Sequence, residues 1–273
     1  MPELPEVETI KNVLAHNLMG KTVKEIRLFY KPLLEVDSLF DVSILKDQTF
    51  TMFERRGKYL IFGFSNGLYW IVHLRMEGKF HLYETPTLKN KHTHLTLIAD
   101  GTHVHYLDTR KFSRMAITDN LNAYFEKKNL GLEPFDAKLT VSYLREKLKN
   151  RRIAIKALLL DQSVITGIGN IYADEILFLS RIHPLTTSNT LSDKDLNRII
   201  ENTVIVLNQA IEAGGTTIRS YTSSLGVSGR FQLVLNAYGR YQEPCVNCET
   251  LLSKTKIAGR TSVYCEKCQR VRK

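Results

Sequence analysis

The stretch Met1-Pro2-Glu3-Leu4-Pro5-Glu6-Val7 decides how the chain begins to fold. Pro5 suits the first turn of a helix, where a backbone N–H has no partner to lose. The residues that follow place apolar side chains on one helical face, and Gly20 is favourable just past a helix end. We therefore predict a helix over 6–19, with Pro2 just ahead of its positive end.

The residue at position 2 has chemical consequences of its own. Proline after Met1 is the usual context for removal of the initiator, and α-amino groups titrate near about pH 8. A secondary amine that attacks a carbonyl carbon forms a charged iminium, which withdraws electrons without an added cofactor. The alternative is an accidental, frayed terminus, so the rest of the sequence must decide.

Composition indicates a globular protein with a polyanionic partner. The 273 residues and an apolar fraction of 43% allow two domains with a sizeable core. No signal peptide or long apolar run is evident, so a cytosolic protein without a membrane partner is expected. Lys and Arg total 38 against 28 acidic residues, giving a net charge of +10. Nucleic acid is the leading partner class, although an anionic membrane or an acidic protein would also satisfy this charge.

The apolar pattern divides the chain into a β-rich part and a helical part. Between residues 21 and 115 the period is two, and Asn66-Gly67 and Asp100-Gly101 are typical of hairpin turns. An antiparallel sandwich or barrel follows, with strands predicted over 23–29, 59–64, 68–74 and 95–98. Helices are predicted over 120–128, 137–149, 155–160, 171–179 and 192–212. The fold class is therefore α+β, with domains over 1–131, 132–235 and 236–273.

The four cysteines predict a zinc site. Cys245 and Cys248 form one Cys-x-x-Cys pair and, after sixteen residues, Cys265 and Cys268 form another. Four ligands with no open position favour a structural role for one Zn²⁺, while two disulfides are the alternative. Ala258-Gly259 predicts a turn in a β-ribbon between the pairs. Arg260 at this turn is either a phosphate ligand or a solvated surface residue.

Residues 161–170 join two predicted helices through a turn that contains Gly167 and Gly169. Backbone amides at the start of the second helix would form an anion site that reads no base sequence. Lys156 and Asn170, the latter as the expected N-cap, would add side-chain donors. An ordinary interhelical turn remains the alternative.

Taken in order, the Pro-Glu-Leu-Pro-Glu-Val-Glu terminus, the Gly-Ile-Gly-Asn-Ile-Tyr turn and the four-cysteine finger resemble one family. The chain resembles bacterial formamidopyrimidine-DNA glycosylases over essentially its whole length. The resemblance implies a helix and β-sandwich domain, then a helix-two-turn-helix and zinc-finger lobe. It also implies removal of 8-oxoguanine and formamidopyrimidines from duplex DNA, followed by β,δ-elimination at the abasic site, without a redox or organic cofactor.

The resemblance assigns catalytic roles to four residues. Pro2 would be the nucleophile, Glu3 the acid and base that assists sugar ring opening, and Glu6 its support. Lys58 matches a lysine near the catalytic phosphates, although a basic residue at a strand start is the plain interpretation.

Further roles concern contacts with DNA. The resemblance implies that three residues fill the space left by the flipped base, namely Met76, Arg110 and Phe112, although the pattern alone favours Met76 and Phe112 as core residues. It implies phosphate or DNA contacts by His92, Lys156, Asn170, Tyr238 and Arg260. It also implies a loop that closes over the extruded purine, containing Thr216, Thr217, Arg219, Ser220 and Tyr221.

The sequence departs from the family pattern at three places. One is Leu235-Asn236-Ala237-Tyr238, which alters the strand approaching the finger without removing Tyr238. The other two lie in the β-rich part. Thr93 stands where an aspartate is common, and Lys111-Phe112-Ser113 stands where Arg-Phe-Gly is common. Local geometry at both places is therefore an open question for the structure.

Two other functions compete with this interpretation. An endonuclease VIII-like glycosylase would use the same proline chemistry on oxidised pyrimidines, but Leu4 stands where that branch typically has glycine. A non-catalytic zinc-finger DNA-binding protein would not need a free Pro2. For the glycosylase we expect a bacterial, cytoplasmic and nucleoid-associated monomer that binds duplexes with oxidised bases or abasic sites.

Overall fold

The computed structural model describes residues 1–149, 151–215, 221–223 and 234–271, which form two compact units. The first unit contains Met1–Lys128 and the described residues that follow Ala213 up to residue 223. The second contains Asn129–Ala213 and the described residues from 234 onward. The predicted boundaries of three domains stay a prediction.

The N-terminal helix α1 spans Leu4–Leu18, so it begins two residues earlier than predicted. The reason is local capping: the Glu6 carboxylate accepts the backbone N–H of Glu3 at 2.9 Å, which satisfies a donor that the first turn leaves open. Pro5 lies in the first turn as expected. The buried face of α1 packs into the core of the first unit.

The nine strands described in the first unit form two sheets. The larger sheet has the order β1-β6-β7-β5-β9 and the smaller the order β2-β3-β4-β8. The strands are β1 Val23–Leu28, β2 Phe50–Arg56, β3 Tyr59–Phe64, β4 Tyr69–His73, β5 Lys79–Tyr83, β6 Thr93–Ala99, β7 Thr102–Leu107, β8 Arg114–Thr118 and β9 Tyr221–Ser223.

The two sheets face each other across an aromatic core, which confirms the predicted sandwich. Phe80 of β5 lies edge-on to Phe62 of β3 and Trp70 of β4, with ring centroids 6.0 and 6.2 Å apart. Edge-to-face rings of this kind gain energy beyond simple burial. Strand pairs are antiparallel except for β9, which pairs with β5 in parallel and was not predicted.

Both predicted hairpin turns are confirmed. Asn66-Gly67 joins β3 to β4, and Gly67 has φ +80°. Asp100-Gly101 joins β6 to β7, with φ +36° and +83°. In the two-residue hairpin at Asp100-Gly101 both residues have positive φ, which matches the right-handed twist of the flanking strands. In the longer turn between β3 and β4 only Gly67 has a positive φ.

Five further helices of the described residues follow β8 in sequence. They are α2 Leu121–Lys128, α3 Val141–Leu148, α4 Ile155–Leu160, α5 Asn170–Leu179 and α6 Asp193–Glu212. Helix α3 begins four residues later than predicted because the Thr140 hydroxyl accepts the N–H of Tyr143 and caps it. Short 3₁₀ turns occur at Lys31–Leu33, Val42–Leu45 and Ser188–Thr190.

The last described part of the chain is a two-stranded ribbon, β10 Ser253–Ile257 and β11 Arg260–Tyr264. Its turn is the predicted Ala258-Gly259, with φ +48° and +75°. None of the described helices combines the length and the apolarity needed to cross a bilayer.

Candidate functional site

The start of α1 buries two carboxylates beside Pro2. Pro2 is buried, and Glu3 and Glu6 expose only 3% and 2% of their surface. Gly215 lies against Glu6: a Cβ at position 215 would lie 2.8 Å from Glu6 Oε1, and the backbone there has φ +81°. Only glycine suits this position, so the segment after α6 approaches the terminus closely.

Lys58 is also buried, with 5% exposure, and follows Gly57 in the turn between β2 and β3. Gly57 has φ +56°, a conformation that a side chain would strain. A lysine this deeply buried is uncommon, because its ammonium must be compensated by nearby groups. Burial therefore favours a specific role over the plain interpretation of a basic residue at a strand start.

His73, at the end of β4, shapes the turn that carries Met76. Its Nδ1 accepts the backbone N–H of Arg75 at 3.0 Å, and Arg75 has φ +52°. Burial, together with the nearby cations Arg75 and Lys58, lowers the pKa of His73 to about 3. The ring is therefore neutral and can act as an acceptor near neutral pH.

The structure brings the three predicted void-filling residues together. Arg110 Nη1 lies 3.0 Å from Met76 Sδ, and its Cζ lies 4.7 Å from the centroid of the Phe112 ring. Met76 and Phe112 are 42% and 48% exposed, so the expectation from pattern alone that they belong to the core is wrong. Exposed apolar side chains grouped around a cation suit insertion into a base stack.

The departures from the family pattern at Thr93 and Ser113 are accommodated by hydrogen bonds. The Thr93 hydroxyl accepts the backbone N–H of Asn90 at 3.1 Å. Ser113 is fully buried, and its hydroxyl lies 2.7 Å from Asp108 Oδ2. His92, two residues after Asn90, is half-buried and accepts the backbone N–H of Asp108 through its carbonyl.

The turn before α5 is braced by one side chain. Gln162 accepts the N–H of Gly167 and donates to the carbonyl of Ile168 at 2.8 Å. Gly167 has φ +92°. The N-cap of α5 is Gly169, so the prediction of Asn170 as the cap is wrong by one residue, because Gly169 is the last residue with an extended backbone.

Lys156 has a different environment from the one predicted. It is fully buried, and its ammonium donates to Asp174 Oδ1 at 2.6 Å and to the carbonyl of Thr261 at 3.1 Å. Asn170 Nδ2 donates to the same carbonyl at 3.1 Å. Both donors thus hold the peptide next to exposed Arg260, and a phosphate contact by Lys156 stays a prediction.

Glu175 holds the segment that leads into the ribbon. Its Oε1 accepts the N–H groups of Ala237 and Tyr238 at 2.9 and 2.8 Å, and its Oε2 accepts the N–H of Asn236 at 2.8 Å. The carboxylate is 2% exposed. Three backbone donors compensate its burial and orient Tyr238 relative to α5.

The four cysteines are free thiols whose sulfurs all lie within 4.8 Å of one another. Cys245 and Cys268 sulfurs are 3.9 Å apart, and those of Cys248 and Cys265 are 3.5 Å apart. A zinc–sulfur distance of about 2.3 Å places tetrahedral sulfurs about 3.8 Å apart, whereas a disulfide needs about 2.05 Å. The donors fit one structural Zn²⁺, and the disulfide alternative is wrong.

Most of the predicted lesion-capping loop lies outside the described residues. This applies to Thr216, Thr217, Arg219 and Ser220. Tyr221 begins β9, opposite Phe80 of β5. The role of this loop stays a prediction.

Comparison with known proteins follows the same division of the chain. The family model of the formamidopyrimidine-DNA glycosylase N-terminal domain matches residues 1–115, and that of the H2TH domain matches residues 130–222. A zinc finger found in FPG and IleRS matches residues 242–271. A formamidopyrimidine-DNA glycosylase of Bacillus cereus is 44% identical, covering 98% of this chain and 99% of that protein. The chain belongs to the formamidopyrimidine-DNA glycosylase family.

Solved members of this glycosylase family have the same fold. The Lactococcus lactis Fpg bound to DNA containing N7-benzyl-Fapy-dG has a TM-score of 0.90 and 36% identity, covering 98% of this chain and all of that one. MutM bound to DNA containing carbocyclic 8-oxo-G has a TM-score of 0.89 and 35% identity, with the same coverage.

Sequence reasoning missed the buried acids that position this glycosylase's site residues. Asp174 and Glu175 are adjacent acids within the otherwise apolar helix α5, and this was a readable signal. Asp108 had no comparable signal, because its donors come from the loop that follows it.

Removal of zinc tests the cysteine site. Chelation should unfold the ribbon and weaken DNA binding, because ligand energy is folding energy in so small a module. Metal analysis should find about one zinc per chain, and Cys265→Ser should reproduce the effect of chelation. Absence of zinc with two disulfides would contradict the assignment.

Glu175→Gln tests the hydrogen bonds by which Glu175 holds residues 236–238, the segment before the ribbon. An amide N–H₂ would face backbone N–H donors, so we expect the free energy of unfolding to fall by about 3 kcal/mol. Glu243→Gln is the matched control, since Glu243 is half-exposed and pairs with Arg240. Equal stability of the two variants by denaturant unfolding would show that Glu175 does not clamp the segment.

His73 should make stability depend on pH. An unfolded histidine titrates near about 6.5, whereas the folded pKa is about 3. The unfolded chain therefore binds the extra proton, and the free energy of unfolding falls as the pH decreases through this window, by up to about 1.4 kcal/mol per unit. His73→Asn keeps an acceptor without this titration, so its loss of stability between about pH 6.5 and pH 5 should be smaller. Parallel curves would contradict the assignment.

Proposed function

We propose that this chain repairs DNA by base excision, removing oxidised purines from duplexes and then cleaving the strand at the abasic site. The observation that carries the proposal is the buried pair Glu3 and Glu6 around Pro2, at the positive end of α1, in a chain that matches a family member over 98% of its residues. Relatives of the same fold bind DNA that contains a Fapy-dG derivative or an 8-oxo-G analogue. Both are analogues of damaged purines.

The proposed chemistry begins at Pro2 after removal of Met1. The Pro2 nitrogen forms a bond to the sugar C1′, the bond from C1′ to the base breaks, and Glu3 exchanges protons with the ring oxygen as the sugar opens. The resulting iminium acidifies the C2′ proton. Loss of that proton expels the 3′ phosphate, and a second elimination expels the 5′ phosphate. Glu6 supports the start of α1, because its carboxylate holds the Glu3 amide.

Lys58 and the void-filling cluster act on the DNA around this centre. The buried Lys58 would place its ammonium near the phosphates that leave, where positive charge stabilises the departing oxygens. Met76, Arg110 and Phe112 would insert into the space left by the flipped nucleotide and face the orphaned cytosine. Their mutual contacts and exposure support this role.

Binding of the duplex rests on polar groups from both units. His92 in the first unit would contact DNA, and Asn170, Tyr238 and Arg260 in the second would hold phosphates. Lys156 would act through the Thr261 carbonyl. Such contacts depend on salt and carry no base specificity. We further propose that the protein acts as a monomer in the bacterial cytoplasm, in association with the nucleoid.

The alternatives are less well supported. The two solved relatives are bound to purine lesions, and this favours purines over the endonuclease VIII-like preference for pyrimidines. A non-catalytic DNA-binding protein would have no need to bury two acids beside Pro2.

A borohydride trapping experiment tests the proposal. The protein should form a covalent adduct with duplexes that carry 8-oxoguanine opposite cytosine, because borohydride reduces the iminium before elimination. Pro2→Gly should reduce excision by at least about 100-fold, since covalent and acid–base contributions are typically this large, while leaving duplex affinity largely intact.

Pro86→Gly is the matched control, because Pro86 is an exposed proline of the same unit. Intact mass spectrometry should show loss of Met1. No adduct with purine or pyrimidine lesions would sink the imine mechanism, and stronger trapping with an oxidised pyrimidine would favour the endonuclease VIII-like alternative.

A further inference from the structure

The void-filling cluster is presented by two separate turns, and the first is the turn that carries Met76. The carbonyl of Leu74 accepts the N–H of Gly78 at 3.0 Å, so the turn from residue 74 to residue 78 is closed around Met76. His73 holds the Arg75 amide inside the same turn. The backbone that carries Met76 is therefore held at two points.

The second turn carries Arg110 and Phe112 and is held by Asp108. This carboxylate accepts the N–H of Arg110 at 2.9 Å and the N–H of Ser113 at 2.8 Å. Lys111 at the centre of the turn has φ +58°, an unfavourable conformation for a lysine that these bonds stabilise. Asp108 is fully buried, so its negative charge depends on those donors.

Ser113 joins the two turns. Its hydroxyl lies 2.7 Å from Asp108 Oδ2 and 2.9 Å from the carbonyl of Leu74, so one proton is shared between an acceptor from each turn. The approach is tight: a Cβ at Gly78 would lie 2.5 Å from Ser113 Oγ and 2.2 Å from Tyr106 Oη. No room remains for a side chain at position 78.

We propose that Ser113 is a positioning residue that locks the Met76 turn to the Arg110–Phe112 turn, so that the three void-filling side chains enter the duplex as one preformed unit. This inference rests on the proposed glycosylase function and names a residue that departs from the common family pattern. Ser113 is buried and so acts on DNA only through these two turns.

The physical reason is preorganisation. Base flipping costs unstacking energy, which the inserted side chains must offset at the moment of extrusion. If the two turns moved independently, ordering them would add to that cost. An abasic duplex has no base to extrude, so strand cleavage at a preformed abasic site depends less on this lock.

The test compares Ser113→Ala with Ser38→Ala. Ser38 is the matched control because its hydroxyl also makes two hydrogen bonds, with the N–H of Ile117 at 2.9 Å and the carbonyl of Phe40 at 2.9 Å, near the opposite end of β8. Single-turnover rates are measured on an 8-oxoguanine duplex and on an abasic duplex, with thermal unfolding in parallel. Ser113→Cys, which replaces the hydroxyl with a slightly larger and weakly donating thiol, is the second variant.

We expect Ser113→Ala to slow 8-oxoguanine excision by about tenfold, the effect of losing one buried hydrogen bond at the transition state, and abasic cleavage by less than about twofold. Ser113→Cys should be intermediate, and Ser38→Ala should leave both rates unchanged. In a Met76→Ala background the Ser113→Ala effect should largely disappear, because both changes act on one unit.

Three results would overturn the proposal: unchanged excision by Ser113→Ala, equal slowing on both duplexes, or full additivity with Met76→Ala. Should Ser113→Ala fail to fold, Ser113→Cys with unchanged excision would overturn it as well. Failure of the wild-type protein to act on either duplex would instead remove the proposed function on which this inference rests.

Discussion

Buried carboxylates must be compensated by donors, and this constraint organises the functional segments of the protein. A carboxylate taken out of water is costly unless several N–H or O–H groups surround it. Glu6 meets this need at the chain terminus, Asp108 in the Arg110–Phe112 turn, and Glu175 in the segment that carries Tyr238. Asp174 does the same with Lys156 and the ribbon. Each acid thus fixes the backbone of the segment that donates to it.

The zinc site and the buried Asp174 stabilise the ribbon in different ways. The ribbon is too short to bury a core of its own, and only a small apolar group surrounds the cysteines, with Phe178 of α5 among its members. Zinc closes the ribbon on itself, whereas Asp174 ties β11 to α5 through the Ser262 hydroxyl and the Val263 amide. Zinc therefore fixes the conformation within the ribbon, whereas Asp174 fixes the position of the ribbon against α5.

Local signals predicted much of the fold. The hairpin turns at Asn66-Gly67 and Asp100-Gly101, helix α4 and strand β3 agree with their predicted positions, because glycine conformation and apolar periodicity act over a few residues. Errors of two to four residues arose where a side chain capped a helix, as Glu6 does for α1 and Thr140 for α3. The parallel pairing of β9 with β5 has no local signal, since the partners lie far apart along the chain.

The amino-acid order was enough to recognise the family, the reactive terminus and the four zinc ligands, because each depends on residue type and spacing within a short stretch. Which basic residues face solvent was decided only by tertiary contacts. Lys156 is buried against Asp174, whereas Arg260 stays exposed. Tertiary contacts also placed Ser113 between Leu74 and Asp108, and they grouped Met76 with Arg110 and Phe112 on one surface. Burial and hydrogen bonding depend on residues distant in sequence, so residue spacing alone does not predict them.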